Sequence, residues 1–465
     1  MTNSAQKYFA PMAWVSGTWA KNELLGVASD GTWASIDADV GPYQHRDATL
    51  LSGPVLPGLV NAHSHAFQRA IAGMAERAGG GPDNFWSWRD RMYGAAQRIT
   101  PQQLEAIAAL LYAELLQVGY TQVCEFHYLH NDLQGKPYAN PLEMSGALIR
   151  AAQTVGIGIT LLPALYMRSG FAAAGLRDDQ QRFASTPASI FNVFEGIKKQ
   201  FGRGLINTGL ALHSLRAVGQ EALQEAVAYA RAHQMPIHIH VAEQAGEVAD
   251  CIATLGQRPV EWLLNYASLD ASWNLIHATH TTPAELQGIK ASGATIVLCP
   301  TTEANLGDGV FDLPTFAKAQ GKWSVGSDSH VTRSWQEELR LLEYSQRLNL
   351  RQRNVTAAAS GVPSTAAALF NAALAGGSAA CGLGMAGLAA GNRADFLVID
   401  VTSNALLGVP CNHLLDAMVF SSPDARLSEV YVAGKLASQT KGFNNLQNLA
   451  AEYSDAMHDL WADIV

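Results

Sequence analysis

A TIM-like (β/α)8 barrel with a small β-domain built from both chain ends is the α/β fold this 465-residue sequence predicts. Three observations predict it. Apolar strand-like runs alternate with helical segments, near 55–63, 121–127, 157–165, 207–213, 236–242, 274–279, 294–299 and 323–328. Strands separated by helices imply a parallel sheet, and eight such strands close a barrel. Four of the runs deliver a metal-type side chain at the same end: His63-Ser64-His65, His238-Ile239-His240, His277 and Asp328. In a parallel barrel those ends meet on one face, where active sites of such barrels lie. Finally, residues near 8–52 and 387–438 read as short strand-like pieces with turn signals such as Ser29-Asp30-Gly31.

Taken in order, residues 1–54 and 380–440 are expected to form the small sandwich-like β-domain, 55–379 the barrel, and 441–465 a C-terminal helix. Helical periodicity falls at 101–118, 221–233, 260–266 and 283–292. Pro101 after Thr100, and Pro283 after Thr282, look like first-turn prolines behind an N-cap. Gly119, Gly156 and Gly293 stand where helices should stop. The Gly79-Gly80-Gly81-Pro82 run reads as a mobile loop over the barrel mouth.

Bulk properties narrow the function. A composition of 48% hydrophobic and 15% charged residues is that of a compact soluble protein. A net charge of -9 and the lack of a basic stripe argue against a nucleic-acid partner. No apolar run reaches about 18 residues, so no membrane span is expected. The first residues lack the charged-then-apolar pattern of a signal sequence. Five scattered cysteines fit reduced thiols in a cytoplasm.

The strand ends carry the chemistry. Residues two apart on a strand point the same way, so His63 and His65 converge on one point. Neutral imidazoles and carboxylates are zinc ligands. His63, His65 and His240 offer three nitrogens, and Asp328 an oxygen. His238 competes with His240, which is preferred because it lies nearer the strand end. Zinc brings the pKa of water toward about 7, and His277 is the candidate to take or hold that water's proton. Glu243, three residues beyond His240, belongs on the loop above the metal, where a carboxyl would shuttle a proton to a leaving nitrogen.

The series Pro-Gly-Leu-Val-Asn-Ala-His-Ser-His, His-Val-Ala-Glu, His-Ala-Thr-His and Gly-Ser-Asp-Ser resembles the amidohydrolase superfamily over nearly the whole chain. Many binuclear members carry a carboxylated lysine on the fourth strand. That strand here, Gly209-Leu210-Ala211-Leu212-His213, has no lysine. The resemblance therefore implies a mononuclear, deaminase-type site with one zinc ion per chain. Glu243 would handle protons at the attacked C=N group, with His277 and Asp328 managing the water.

Further motifs resemble the branch that acts on N-formimino-L-glutamate, a step of histidine degradation: His63–Ala70, Phe85-Trp86-Ser87-Trp88-Arg89, Glu125-Phe126-His127-Tyr128, His213-Ser214-Leu215-Arg216, and 302–309. By that resemblance Gln68, Arg89, Tyr128, His213 and Arg216 hold the substrate. Arginine forks match carboxylates bidentately, and a substrate with two carboxylates gives both arginines a partner. The expected partner is this small molecule, with a homodimer implied by the family. The alternative is another deaminase or chlorohydrolase of the superfamily, acting on a nucleobase-like or triazine ring. A non-catalytic barrel scaffold is the remaining rival.

Overall fold

The computed structural model describes residues 6–41, 46–77, 85–202, 204–439 and 445–462. The glycine run at 79–82 lies outside them. Eight parallel strands run in sequential spatial order: β1 Leu59–Ser64, β2 Tyr120–His127, β3 Gly158–Leu165, β4 Leu210–Ser214, β5 Ile237–Val241, β6 Trp273–His277, β7 Thr295–Leu298 and β8 Lys322–Val325. All pair in parallel with their neighbours. Nearly every residue of these strands is buried, as strands covered on both faces require.

Among the described residues, the one bridge that joins the β1 and β8 edges lies at the top of the barrel. Ser64 bridges Asp328 there, with Asp328 N donating to His63 O and His65 N donating to Asp328 O. The seam that closes the barrel is thus made by the residues expected to bind metal. Below it the helix Thr365–Cys381 packs on β1 and β8. A Cβ on Gly376 would lie 2.0 Å from Trp323 O, so glycine is needed for that approach.

The helix signals at 101–118 and 283–292 correspond to Pro101–Gln117 and Pro283–Ser292, each entered through a capping box, at Thr100 and Thr282. Gly156 and Gly293 end their helices in the left-handed conformation.

The run at 55–63 behaves differently from the single strand expected there. Val55–Pro57 leaves the barrel and pairs antiparallel with Phe396–Ile399. Gly58 makes the break, since a Cβ there would meet Thr121 Oγ1 at 2.5 Å. The run at 207–213 is likewise split at Gly209 into Ile206–Thr208 and β4. Val55–Pro57 joins the two chain ends into one eight-stranded sheet, with the hairpin Gln6–Val15/Thr18–Val27 on one side and Leu427–Val432/Lys435–Gln439 on the other. Its own core is aromatic: Tyr8, Trp33, Phe396 and Tyr431, with the last two stacked 4.2 Å apart. The helix Leu446–Trp461 packs on Pro101–Gln117.

Candidate metal centre and active site

At the top of the barrel the His63, His65 and His240 Nε2 atoms and Asp328 Oδ1 face one another. His240 Nε2 lies 3.1 Å from His63 Nε2 and 3.3 Å from His65 Nε2. Asp328 Oδ1 lies 3.4 Å from the former ring and 3.5 Å from the latter. Four ligands about 2.0–2.1 Å from a tetrahedral zinc stand roughly 3.3–3.4 Å apart. The four distances are of that size, the three histidines are close enough to share one ion, and the donor set suits a divalent ion.

The surrounding structure fixes which nitrogen faces inward. His65 Nδ1 bonds Phe126 O, and His240 Nδ1 bonds His213 O, both at 2.8 Å. Such partners on the outer nitrogen orient a ligand imidazole. The second depends on a bulge in β4, where Leu212 pairs with Ile239 but Ser214 pairs with His240. The extra residue, His213, turns its carbonyl to the ring. His238 instead bonds Ala380 O at 2.8 Å, on the helix Thr365–Cys381 that packs below the barrel top.

Charge follows geometry. Burial pushes His63 down to about 3 and holds His240 well below its usual range, so both rings are neutral and offer lone pairs. Burial alone would raise the Asp328 carboxyl, but the His63 hydrogen bond and the neighbouring imidazoles hold it below the usual carboxylate range. His277 Nε2 sits 3.8 Å from Asp328 Oδ2 and 3.7 Å from Glu243 Oε1. Burial would lower its pKa, but Glu243, Glu303 and Asp328 outweigh that and raise it to about 10. Burial lifts Glu243 to about 7, a value suited to a group that both gives and takes protons. Glu247 accepts the backbone N–H groups of Ala242 and Glu243, fixing that loop.

Ala242, His277, Ala278, Asp328 and His330 all have φ between 45° and 67°. Non-glycine residues seldom adopt this region, and such strain gathers at functional sites. Gly326 carries a separate constraint, because a Cβ there would meet His63 N at 2.6 Å and His63 O at 2.7 Å. Gly326→Ala is expected to lower stability by about 1–3 kcal/mol and to reduce bound metal, which calorimetry and metal analysis would check. Unchanged Tm and metal content would show that the seam can yield.

One pocket opens onto the cluster. Its walls include Gln68, Arg89, Tyr128, His213, Arg216, Glu243, His277 and Asp328, with His65 and His240 at its base. His63 lies fully buried among the ligand atoms. The structure thus brings together every site residue read from the sequence. Gln68 Nε2 donates to Tyr128 OH at 3.1 Å, leaving Gln68 Oε1 as an unpartnered acceptor. Arg89 lies over the Tyr93 ring at 5.4 Å. Arg168 donates to the carbonyls of Leu215 and Arg216, bracing the turn that carries Arg216.

Several contributors escaped the sequence reading. Tyr93 and Tyr166 line the pocket. Glu125, on the apolar strand β2, accepts Ser64 Oγ and Ala66 N at 2.6 Å each and clamps the His63-Ser64-His65 turn. It was visible only as the first residue of the motif Glu125-Phe126-His127-Tyr128, with no role read for it. Glu303, behind His277, was visible only as part of a motif.

This barrel, with its metal-type cluster at the strand ends, defines a hydrolase, and the chain belongs to the amidohydrolase family, whose model matches residues 55–437. A formimidoylglutamate deiminase from Pseudomonas aeruginosa is 44% identical over 428 residues, covering 92% of this chain and 93% of that one. The crystal structure of an amidohydrolase from Brucella melitensis superposes with a TM-score of 0.91 at 43% identity, over 98% of this chain and 99% of that one. An adenosine deaminase from Xanthomonas campestris with bound zinc shares the fold, with a TM-score of 0.80 at 19% identity over 98% of each chain.

Proposed function

We propose that the chain hydrolyses N-formimino-L-glutamate to N-formyl-L-glutamate and ammonia, using one zinc ion per chain held by His63, His65, His240 and Asp328. The carrying observation is a single pocket that combines two arginines, Arg89 and Arg216, with the metal-type cluster and Glu243. An acidic protein must supply local cations to bind a dicarboxylate, and these two supply them. The 44% identical relative is named for the same substrate.

The ion supplies Lewis acidity that makes water acidic enough to ionise near neutral pH. Asp328 takes the proton of the attacking water, and His277 holds that water and its developing charge in place. Water oxygen bonds to the formimino carbon, and the bond from that carbon to the terminal nitrogen breaks. Glu243 delivers the proton that lets the nitrogen leave as ammonia. Gln68 Oε1 accepts an N–H of the formamidine, while Arg89 and Arg216 pair with the two carboxylates. Tyr128 and His213 complete the wall.

The same reading takes 1–54 with 380–440 as the β-domain, 55–379 as the catalytic barrel and 441–465 as a C-terminal helical segment. It places the protein in a reducing cytoplasm as a homodimer. Free cysteines support the compartment, and no helix among the described residues is long and apolar enough to cross a membrane.

Parallel assays with N-formimino-L-glutamate, guanine and cytosine test the substrate class. Turnover of the first alone is expected, and preferential deamination of either ring would overturn the proposal. Arg89→Met and Arg216→Met should each lower kcat/KM by about ten- to 150-fold, the worth of a charge-assisted contact of roughly 1.5–3 kcal/mol. The loss should shrink on a substrate lacking the carboxylate that the given arginine holds. Equal losses on formimino derivatives of glutamate, 4-aminobutyrate and alanine would deny carboxylate recognition.

A further inference from the structure

We infer that Glu303 is the positioning residue of this reaction: it holds the His277 imidazole with its Nδ1–H turned away from the pocket and its Nε2 turned toward the reacting atoms. The inference rests on the role proposed above for His277.

His277 ends β6 with its backbone in the left-handed region, at φ 67°. Its Nδ1 lies 3.3 Å from Glu303 Oε1, and its Nε2 lies between Glu243 and Asp328. Both His277 and Glu303 are buried, so water does not compete for that bond. Glu303 is itself fixed. The same Oε1 accepts the backbone N–H of Cys299 at 2.9 Å, at the start of the helix Pro300–Leu306. The preceding residue anchors the helix to the Asp328 turn, because Thr302 Oγ1 accepts from Ser329 N at 3.3 Å and pairs with Ser329 Oγ at 2.9 Å. Adjacent side chains on one short helix therefore hold the two groups that manage the attacking water, one directly and one through its turn.

A carboxylate accepts hydrogen bonds and never donates them when ionised. Facing Nδ1, it requires a proton on that nitrogen and so determines which ring nitrogen works in the pocket. An imidazole oriented by a carboxylate on its outer nitrogen is held as the histidine of a catalytic triad is held. Glu303 is not among the residues that line the pocket, and its link to that pocket runs through His277.

The test uses the zinc-loaded full chain with Glu303→Met and Glu303→Gln. Methionine fills the space without a comparable acceptor, whereas the glutamine carbonyl can accept the same bonds. Glu303→Met should lower kcat about 100-fold, as misplacement of a catalytic group does, with KM within about threefold and one metal retained. Glu303→Gln should recover most of that loss. Nitrogen-15 NMR of histidine-labelled protein, assigned with His277→Gln, should show the His277 Nδ1 proton in wild type and its loss or rapid exchange in Glu303→Met. Wild-type kcat in Glu303→Met, or equal losses in both variants, would overturn the inference. If Glu303→Met does not fold, the wild-type spectrum decides, since an unprotonated Nδ1 is incompatible with the inferred bond. The NMR readout needs no substrate, so it separates failure of this inference from failure of the substrate assignment.

Discussion

Glu243→Gln is expected to lose between about 100- and 10,000-fold of kcat while keeping its metal and its affinity for substrate. The amide has the shape of the acid, and the backbone under it is held by Glu247 through the Ala242 and Glu243 N–H groups. The substitution therefore removes the proton and little else. Burial is what lifts this carboxyl to about 7, and a glutamine in the same buried place cannot cycle a proton at any pH. Steady-state kinetics with metal analysis on the same preparation would check the result. Activity within a few-fold of wild type would remove Glu243 from the mechanism.

Asp328→Asn should be at least as damaging, because one carboxylate has two tasks. Oδ1 faces the His63 and His65 nitrogens, while Oδ2 faces His277. Loss of the negative charge should weaken metal binding by more than the roughly 10- to 100-fold typical of a residue that merely supports a ligand. Restored with excess zinc, the variant should still fall short in kcat by at least about 100-fold, because the amide cannot take a proton from water. Full recovery of kcat on adding zinc would confine Asp328 to metal binding. Its backbone also closes the barrel at Ser64, which asparagine preserves, so the variant should remain folded.

Much of this site was legible because barrel topology converts strand ends into neighbours. The convergence of His63 and His65 follows from their spacing, and their reading as metal ligands from the other strand ends. His240, His277 and Asp328 follow from the recurrence of one pattern at one end of successive apolar runs. The choice of His240 over His238 needed only the rule that the strand's last residues face the mouth. What was not legible depends on contacts between distant backbone and side-chain atoms. The β4 bulge that aims the His213 carbonyl at His240 leaves no mark in the apolar pattern. Arg168 works through the carbonyls of Leu215 and Arg216, and carbonyls have no sequence identity. The division of 55–63 at Gly58 was hidden because both pieces are fully buried, and a buried run has no alternation to break. Glu125 and Glu303 stood in motifs without a role, since the side chains they hold lie 61 and 26 residues away.

The most direct measurement is product analysis of the zinc-loaded enzyme on N-formimino-L-glutamate, by mass spectrometry with ammonia assayed in parallel. N-formyl-L-glutamate and ammonia should appear in equal amounts, and both should vanish when a chelator removes the metal and return with added zinc. Release of glutamate and formamide instead, or no turnover by enzyme carrying its metal, would contradict the account.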